Sequence, residues 1–175
     1  MREISKIVLI GFMGSGKTSV AARIAPAINF HVCDMDAEIV RRSSYPSIPA
    51  IFAEHGESYF RDLESQVAES LSHAQRTIVS TGGGVVTRPS NLTHLKTEGT
   101  LIIYLKASFE ELAKRIGDFS DRPLFQDHVK ARKLFDERIP LYEAVADLIV
   151  NTDGESLDSV CSTILHNVES LLCRA

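Results

Sequence analysis

The sequence predicts an α/β fold in which a parallel sheet is covered by helices on both faces. Short apolar runs alternate with longer amphipathic segments along the 175 residues. The apolar runs are rich in Ile, Val and Leu and do not alternate with polar residues, which is typical of parallel strands buried on both faces. The chain contains no internal repeat, low-complexity tract or long linker. We therefore expect one domain spanning residues 1–175.

Five apolar runs are predicted as strands, at residues 6–10, 30–33, 77–80, 100–105 and 147–151. The first run leads directly into a glycine-rich loop and is not followed by a small-residue cleavage site. We therefore interpret it as the first core strand and not as part of a signal peptide.

Helices are predicted between these strands, at residues 17–28, 57–74, 109–116, about 128–145 and 156–172. In the second of them, apolar residues recur with helical spacing from Phe60 to Leu71. Ser108 is placed to cap the third, with two glutamates in its first turn. Alternation of strands and helices implies a parallel sheet with right-handed crossovers.

Two segments depart from this alternation. Residues 34–62 contain several short helical pieces around Pro46 and Pro49, and residues 117–127 are polar and lie between two predicted helices. Excursions of this kind often bind ligands or act as lids, so we expect an acceptor-binding excursion and a lid. Plain surface loops remain the alternative for each segment.

Net charge, the length of apolar runs and cysteine spacing limit the kinds of binding partner and cellular location that we expect. The net charge of −4 gives no bulk electrostatic reason to expect nucleic acid or an anionic membrane as a partner. No apolar run approaches the ~20 residues that span a bilayer. The three cysteines are far apart and lack CxxC spacing. We expect a cytoplasmic protein without disulfides or a structural metal. A monomer is a separate expectation.

Residues 11–18, GFMGSGKT, match the phosphate-binding pattern G-x-x-x-x-G-K-[ST] between a strand and a helix. Backbone N–H groups of such a loop surround phosphate oxygens, Lys17 neutralises the β- and γ-phosphates, and the Thr18 hydroxyl can bind Mg²⁺. The predicted nucleotide-binding residues here are Gly14, Ser15, Gly16, Lys17, Thr18 and Ser19. The sequence therefore predicts binding of a nucleoside triphosphate, with ATP preferred, together with Mg²⁺.

The phosphate-binding loop does not by itself separate switches, motors and small-molecule kinases. A guanine-nucleotide switch should carry an N-K-x-D run, and the chain has none; motors usually have more chain. A kinase needs a second site, for the molecule that accepts the phosphoryl group, next to the γ-phosphate.

Polar residues suited to such an acceptor site follow the predicted strands, where open α/β sheets bind ligands. Asp34 can hold Mg²⁺ through its waters, and Asp36 can accept hydrogen bonds from acceptor hydroxyls and take a proton. Arg61 and Arg138 form a candidate bidentate clamp for a carboxylate, and Arg61 is one helical turn from Glu64. Three consecutive glycines, Gly82, Gly83 and Gly84, would let a small flat substrate lie against backbone. A surface Arg61–Glu64 pair and a loose glycine turn are the alternatives.

Taken together, these motifs resemble the shikimate kinase family. GFMGSGKT, DMD, FAEHGESYFRDLE, TGGG, RPLF and RIPLYEAVAD occur in that family's order and spacing over residues 8–150. The resemblance implies a nucleoside monophosphate kinase-like P-loop kinase fold, a three-layer sandwich with sheet order 2-3-1-4-5. It implies phosphoryl transfer from ATP to the 3-hydroxyl of shikimate, on the route to aromatic amino acids. Asp36 would bind ring hydroxyls as candidate base, Arg61 and Arg138 the carboxylate, and the glycines would line the ring pocket.

The resemblance also implies roles in the lid and the nucleotide site. Arg122 matches a lid arginine that approaches the transferring phosphoryl group, and Arg115 matches a residue that stacks on adenine. Apolar pocket and lid positions are matched by Ile48, Phe52, Phe60, Pro123 and Leu124, for which ordinary core packing is the alternative. Phe125 departs from the family's frequent R-P-L-L, and we have no account of the acidic Asp118 and Asp121 beside triphosphate.

Three alternatives remain open. A gluconate kinase of the same fold also binds a polyhydroxy carboxylate, but the F-R-x-x-E run and the triple glycine favour shikimate. A nucleoside monophosphate kinase is disfavoured because the D-x-D run would repel a phosphate on the acceptor. A nonenzymatic nucleotide-binding regulator should have lost the equivalents of Lys17, Asp36 or Arg122, and all three are present.

Overall fold

The structure, a computed structural model, describes residues 4–116 and 127–173, with side chains described to residue 171. In this part of the chain, five strands form one sheet with the order β2-β3-β1-β4-β5, and every pair is parallel. The strands are β1 (Lys6–Ile10), β2 (His31–Asp34), β3 (Thr77–Ser80), β4 (Thr100–Lys106) and β5 (Leu148–Asn151). The α/β class and the sheet order are confirmed.

Seven α-helices surround the sheet within the described ranges. They are α1 (Lys17–Ile28), α2 (Met35–Ser43), α3 (Ile48–Ser70), α4 (Pro89–Leu95), α5 (Phe109–Ile116), α6 (His128–Val145) and α7 (Leu157–Cys173). A short 3₁₀ helix, Val85–Thr87, follows β3. None of the helices in these ranges combines the length and the apolar character needed to cross a membrane.

Two hydrophobic cores lie on opposite faces of the sheet. Residues such as Ile7, Leu9 and Ile103 face α1 and α7, whereas Val8 and Ile102 face the helices from α2 to α6. Successive side chains of a strand point to opposite faces, so an uninterrupted apolar strand supplies both cores at once. The result is the expected three-layer arrangement.

Most predicted elements are confirmed, with differences in the acceptor-binding excursion. There, α2 and the first part of α3 are regular helices, and the predicted helix 57–74 is the second part of α3. The two parts meet at Gly56, whose φ of 77° and ψ of −179° are not helical. Helix α3 ends at Ser70 because the chain turns there, with Ser72 N–H donating to the carbonyl oxygen of Glu69. Helix α4, polar and short, was not predicted.

Candidate active site

A pocket of about 400 Å³ lies at the carboxyl ends of β1, β2 and β3, which are neighbours in the sheet. It is lined by Met13, Gly14, Gly16, Lys17, Thr18, Ser19, Asp34, Asp36, Ile48, Phe52, Phe60, Arg61, Glu64, Ser80, Thr81, Gly82, Gly83, Gly84 and Arg138. The residues of the phosphate-binding loop and those of the predicted acceptor site thus share one continuous space. This joint placement was the central expectation from the sequence.

The phosphate-binding loop wraps around the Lys17 ammonium group. Lys17 Nζ donates to the carbonyl oxygens of Gly11 and Phe12, at 2.8 and 2.9 Å, and lies 3.3 Å from Ser15 Oγ. Gly16 caps α1 with a φ of 90°, a left-handed conformation that favours glycine. The loop therefore places a cation and the N-terminus of α1 at the same end of the pocket, as phosphate binding requires.

Thr18, Asp34 and Ser80 form an oxygen-rich cluster beside this loop. The Thr18 hydroxyl donates to Asp34 Oδ2 at 2.7 Å and lies 3.1 Å from Ser80 Oγ. Asp34 also caps α2, because its Oδ1 accepts from the backbone N–H of Ala37 at 3.1 Å. A hydroxyl that donates its proton to a carboxylate keeps lone pairs for a cation, and hydroxyl and carboxylate oxygens are ligands that Mg²⁺ prefers. The donor set therefore fits Mg²⁺.

On the acceptor side, Arg61 and Glu64 form a buried ion pair within α3. Arg61 Nη1 donates to Glu64 Oε2 at 2.9 Å, and the two side chains are 10% and 0% exposed. Two further donors of Arg61, Nε and Nη2, face Glu57 Oε1 at 3.3 and 3.1 Å. The alternative of a surface helix pair is therefore wrong, because both side chains are buried. A buried ion pair is stable only when each charge has complementary partners.

Helix α6 supplies Arg138 and Tyr142, one turn apart on the same face and both buried. The Arg138 guanidinium lies 5.8 Å from the centre of the Phe12 ring, which brings it against the phosphate-binding loop. The Tyr142 hydroxyl donates to the carbonyl oxygen of Gly83, and its ring stacks on Tyr104 at 5.0 Å. Helix α6 thus holds both an acceptor-site cation and the glycine loop.

The three glycines leave room for protein groups as well as for a ligand. A Cβ on Gly82 would lie 2.8 Å from Glu64 Oε1 and 2.9 Å from Asp36 Oδ1, and a Cβ on Gly84 would overlap the Arg61 guanidinium. At Gly83 a Cβ would lie 3.3 Å from the backbone nitrogen of Met13. The alternative of a loose turn is wrong: this loop is packed against the charged residues of the site.

Burial and charge shift the ionisation of these groups. Burial raises the pKa of Glu64, while Arg61 opposes that rise. Burial also acts to lower the pKa of Arg61, but Glu64 and Glu57 outweigh it, so the pKa of Arg61 is raised overall. Burial lowers the pKa of Arg138, although a guanidinium stays charged at neutral pH. The acceptor side of the pocket thus contains two permanent cations, in addition to Lys17 of the phosphate-binding loop.

In this cluster, Arg138 Nε and Glu64 Oε1 are buried and have no hydrogen-bond partner among the described residues. Buried polar groups in proteins are almost always hydrogen-bonded, so these atoms are available to ordered water or to a polar ligand. An oxygen-rich acceptor, with acceptor atoms for Arg138 and a hydroxyl for Glu64, fits that requirement.

Some of the predicted residues lie away from the pocket lining. Arg115 Nη1 donates to Thr152 Oγ1 at 2.9 Å and Nη2 to the Thr152 carbonyl oxygen, so the loop after β5 holds this side chain. Ser15 is buried behind the lining residues. Arg122 and the rest of the predicted lid, including Asp118, Asp121, Pro123 and Leu124, lie outside the described residues.

The structure adds residues whose part in the site was not assigned from the sequence. Glu57 contacts Arg61, Ser80 contacts Thr18, and Tyr142 contacts the glycine loop. Spacing in α3 offered a signal for Glu57, because it lies four residues before Arg61. Ser80 and Tyr142 contact partners 62 and 59 residues away, so no local pattern indicates those contacts.

The family model and the sequence relatives agree on one family. The profile described as "Shikimate kinase" matches residues 13–169. A shikimate kinase of Dehalococcoides mccartyi is 39% identical over 166 residues, covering 94% of this chain and 93% of the relative. One of Geobacter metallireducens is 38% identical over 170 residues, covering 95% and 93%.

A solved structure agrees with these sequence relatives. Shikimate kinase from Acinetobacter baumannii in complex with shikimate superposes with a TM-score of 0.89 at 32% identity, covering 97% of this chain and 95% of that one. The range matched by the family model, residues 13–169, includes every residue that lines the pocket. The chain belongs to the shikimate kinase family.

Proposed function

We propose that this protein transfers the γ-phosphoryl group of ATP to the 3-hydroxyl of shikimate, giving shikimate 3-phosphate and ADP. One observation carries the proposal: the phosphate-binding loop and a cluster of two arginines with Asp36 line the same 400 Å³ pocket. Membership in the shikimate kinase family supports the same reaction. Gluconate phosphorylation and nucleotide binding without turnover are the competing outcomes of the test below.

The acceptor is recognised by charge and by shape. Arg61 and Arg138 bind its carboxylate, since planar guanidinium groups pair with carboxylates through two parallel hydrogen bonds. Ile48, Phe52 and Phe60 form an apolar wall, with the rings of Phe52 and Phe60 4.9 Å apart. A compact ring acid presents an apolar face to this wall and hydroxyls to the glycine loop and Asp36.

Asp36 acts as the general base. It follows the capping residue Asp34 by two positions, so the first turn of α2 directs it into the pocket. It takes the proton of the 3-hydroxyl as that oxygen attacks the γ-phosphorus, and the bond from that phosphorus to the bridging oxygen breaks to release ADP. Lys17 and the α1 N-terminus stabilise the charge on the phosphate oxygens.

Thr18 and Asp34 are the residues that would hold Mg²⁺. When bound, the metal would supply charge neutralisation at the β- and γ-phosphates. Asp34 orients the Thr18 hydroxyl at 2.7 Å and is itself fixed by capping α2. The remaining assignments from the resemblance complete the proposal: Arg115 packs on adenine, Arg122 closes over the phosphates, and Gly14, Ser15, Gly16 and Ser19 bind ATP.

The decisive experiment measures ADP release by the purified protein with Mg-ATP and, separately, shikimate, gluconate, AMP or no acceptor. Stimulation by shikimate alone is expected. Stimulation by gluconate would keep the fold and reassign the acceptor. Binding of ATP without stimulation by any acceptor would favour the regulator.

We further propose that the protein acts as a monomeric, single-domain enzyme in the cytoplasm and without nucleic acid. The net charge of −4 supports the absence of a nucleic-acid partner. Light scattering during size-exclusion chromatography at assay concentrations tests the monomer, and a dimer mass would overturn it.

A further inference from the structure

Two carboxylates of different accessibility hold the Arg61 guanidinium. Glu64 accepts from Nη1, and Glu57 accepts from both Nε and Nη2 through one oxygen. Glu57 is the first residue after the helix break at Gly56, which begins the second part of α3 one turn before Arg61. The Nε–Nη2 edge, one of the two edges with which arginine grips a carboxylate, is therefore engaged by Glu57.

The two carboxylates differ in how easily they can leave. The Glu64 side chain is 0% exposed, whereas that of Glu57 is 62% exposed. Separating a buried pair leaves an uncompensated charge in the interior, which is strongly unfavourable. An exposed carboxylate exchanges its partner for water at little net cost. Of the two, Glu57 is the one that can be exchanged.

The charge balance of the acceptor side gives a reason for that exchange. Apart from Lys17 and Asp34 at the nucleotide end, Arg61 and Arg138 supply two positive charges. Asp36, Glu57 and Glu64 supply up to three negative charges. Electrostatic attraction to Glu57 also reaches Arg138. A carboxylate acceptor adds one more negative charge, and like charges at this separation repel. Rotation of Glu57 into water would remove the excess charge and free the Nε–Nη2 edge.

We propose that Glu57 sets the affinity for the acceptor by competing with its carboxylate for the Arg61 guanidinium. This inference rests on the proposed function, because it requires that the acceptor carboxylate binds Arg61. Glu57 then acts as a built-in substitute for the acceptor carboxylate. It excludes weak anions from Arg61, and by returning to Arg61 it favours release of the phosphorylated acid.

The test is equilibrium binding of shikimate by isothermal titration calorimetry, which is independent of turnover. Glu57→Gln keeps the size of the side chain and removes its charge. Glu54→Gln is the matched control, since Glu54 is also 62% exposed and lies on α3, where it contacts His55. The methyl ester of shikimate is the second ligand, because it lacks the charged carboxylate. Thermal melts of both variants check that they fold as the parent does.

Glu57→Gln should tighten shikimate binding about two- to fivefold, the range expected for an exposed ion pair. Glu54→Gln should not tighten shikimate binding, and Glu57→Gln should not tighten binding of the methyl ester. Weaker shikimate binding by Glu57→Gln would mean that Glu57 positions Arg61, and unchanged binding would mean that the Glu57–Arg61 contact does not affect affinity. Either result would contradict competition by Glu57 without contradicting shikimate-dependent ADP release. If the unaltered protein releases no ADP in response to shikimate, the proposed function and this inference both fail.

Discussion

The nucleotide side and the acceptor side of the pocket are built in different ways. The nucleotide side is built mainly from eight consecutive residues, 11–18, in which backbone carbonyl groups accept hydrogen bonds from Lys17. The acceptor side gathers Asp36 from α2, Arg61 from α3, the glycines after β3 and Arg138 from α6. Its parts are buried charges that depend on each other across the fold.

The two sides of the pocket therefore differ in which substitutions disturb them. The phosphate-binding loop needs a strand before it and a helix after it, and little else. The acceptor side needs four elements in their correct relative positions, because moving a buried charge away from its partner costs free energy. Changes far from the acceptor should therefore alter its binding while leaving the nucleotide side intact. The predictions below test that separation.

The largest effect is expected where the two sides meet, at Asp36. Asp36→Asn keeps the shape of the side chain and removes the base, so kcat should fall about 10²- to 10⁴-fold. Binding of ATP, measured by calorimetry, should be nearly unchanged because Lys17 and Thr18 are intact. An equal loss of ATP affinity would place Asp36 on the nucleotide side and contradict the assigned role.

The next largest effect is expected at Gly84. Its φ of −97° suits any residue, so Gly84→Ala introduces no backbone strain and acts only through the overlap with Arg61. Displacing that guanidinium should lower kcat/KM for shikimate about 10- to 100-fold while the KM for ATP stays constant.

A double-mutant cycle provides the control for Gly84→Ala. In an Arg61→Ala background the overlap no longer exists, so Gly84→Ala should have little further effect. Additive losses would mean that the methyl group obstructs the substrate directly. In that case the glycine serves the ring pocket and not the placement of Arg61.

The same contrast explains what the sequence could predict. The apolar runs and the loop at 11–18 specify the sheet and the nucleotide side, because both depend on neighbouring residues. The order of strands came from the family resemblance and was confirmed by the pairing of β1 with β3 and β4. Helix α4, with the polar sequence PSNLTHL, forms through packing on α3 that no local periodicity indicates.

The glycine loop marks the limit of that prediction. Three glycines correctly indicated a close approach, and the expected neighbour was a flat substrate. The neighbours in the described structure include Glu64, Asp36 and Arg61, which lie 18, 46 and 23 residues from the glycines they contact. Which side chain fills the space above a glycine depends on tertiary packing, so no local sequence pattern predicts it.

A moderate effect is expected at Tyr142. Tyr142→Phe leaves the Gly83 carbonyl without its buried donor, so the glycine loop should lose its fixed position against Arg138. The KM for shikimate should rise about three- to tenfold, with ATP affinity constant. Tyr104→Phe is the control, because Tyr104 contributes the stacked ring but not this hydrogen bond. Equal losses in the two variants would indicate general loosening of the core.

The smallest effect is expected at Ser80, and it tests whether the two sides are fully separate. Ser80 ends β3, directly before the segment that leads into the glycine loop, yet its hydroxyl lies 3.1 Å from Thr18 Oγ1. Ser80→Ala removes one hydrogen bond from the Thr18 and Asp34 cluster, so the Mg²⁺ concentration for half-maximal activity should rise about two- to threefold.

Binding of Mn²⁺ in the presence of ADP, monitored by electron paramagnetic resonance, separates a positioning role from general damage. Ser80→Ala should weaken Mn²⁺ binding while leaving the affinities for metal-free ADP and for shikimate unchanged. Ser80→Thr restores a hydroxyl and should recover part of the loss. If shikimate affinity falls instead, then β3 transmits the change to the glycine loop. The nucleotide and acceptor sides would in that case be coupled through β3. The nucleotide side, built from consecutive residues, could then not be treated as independent of the acceptor side, which is built from distant elements.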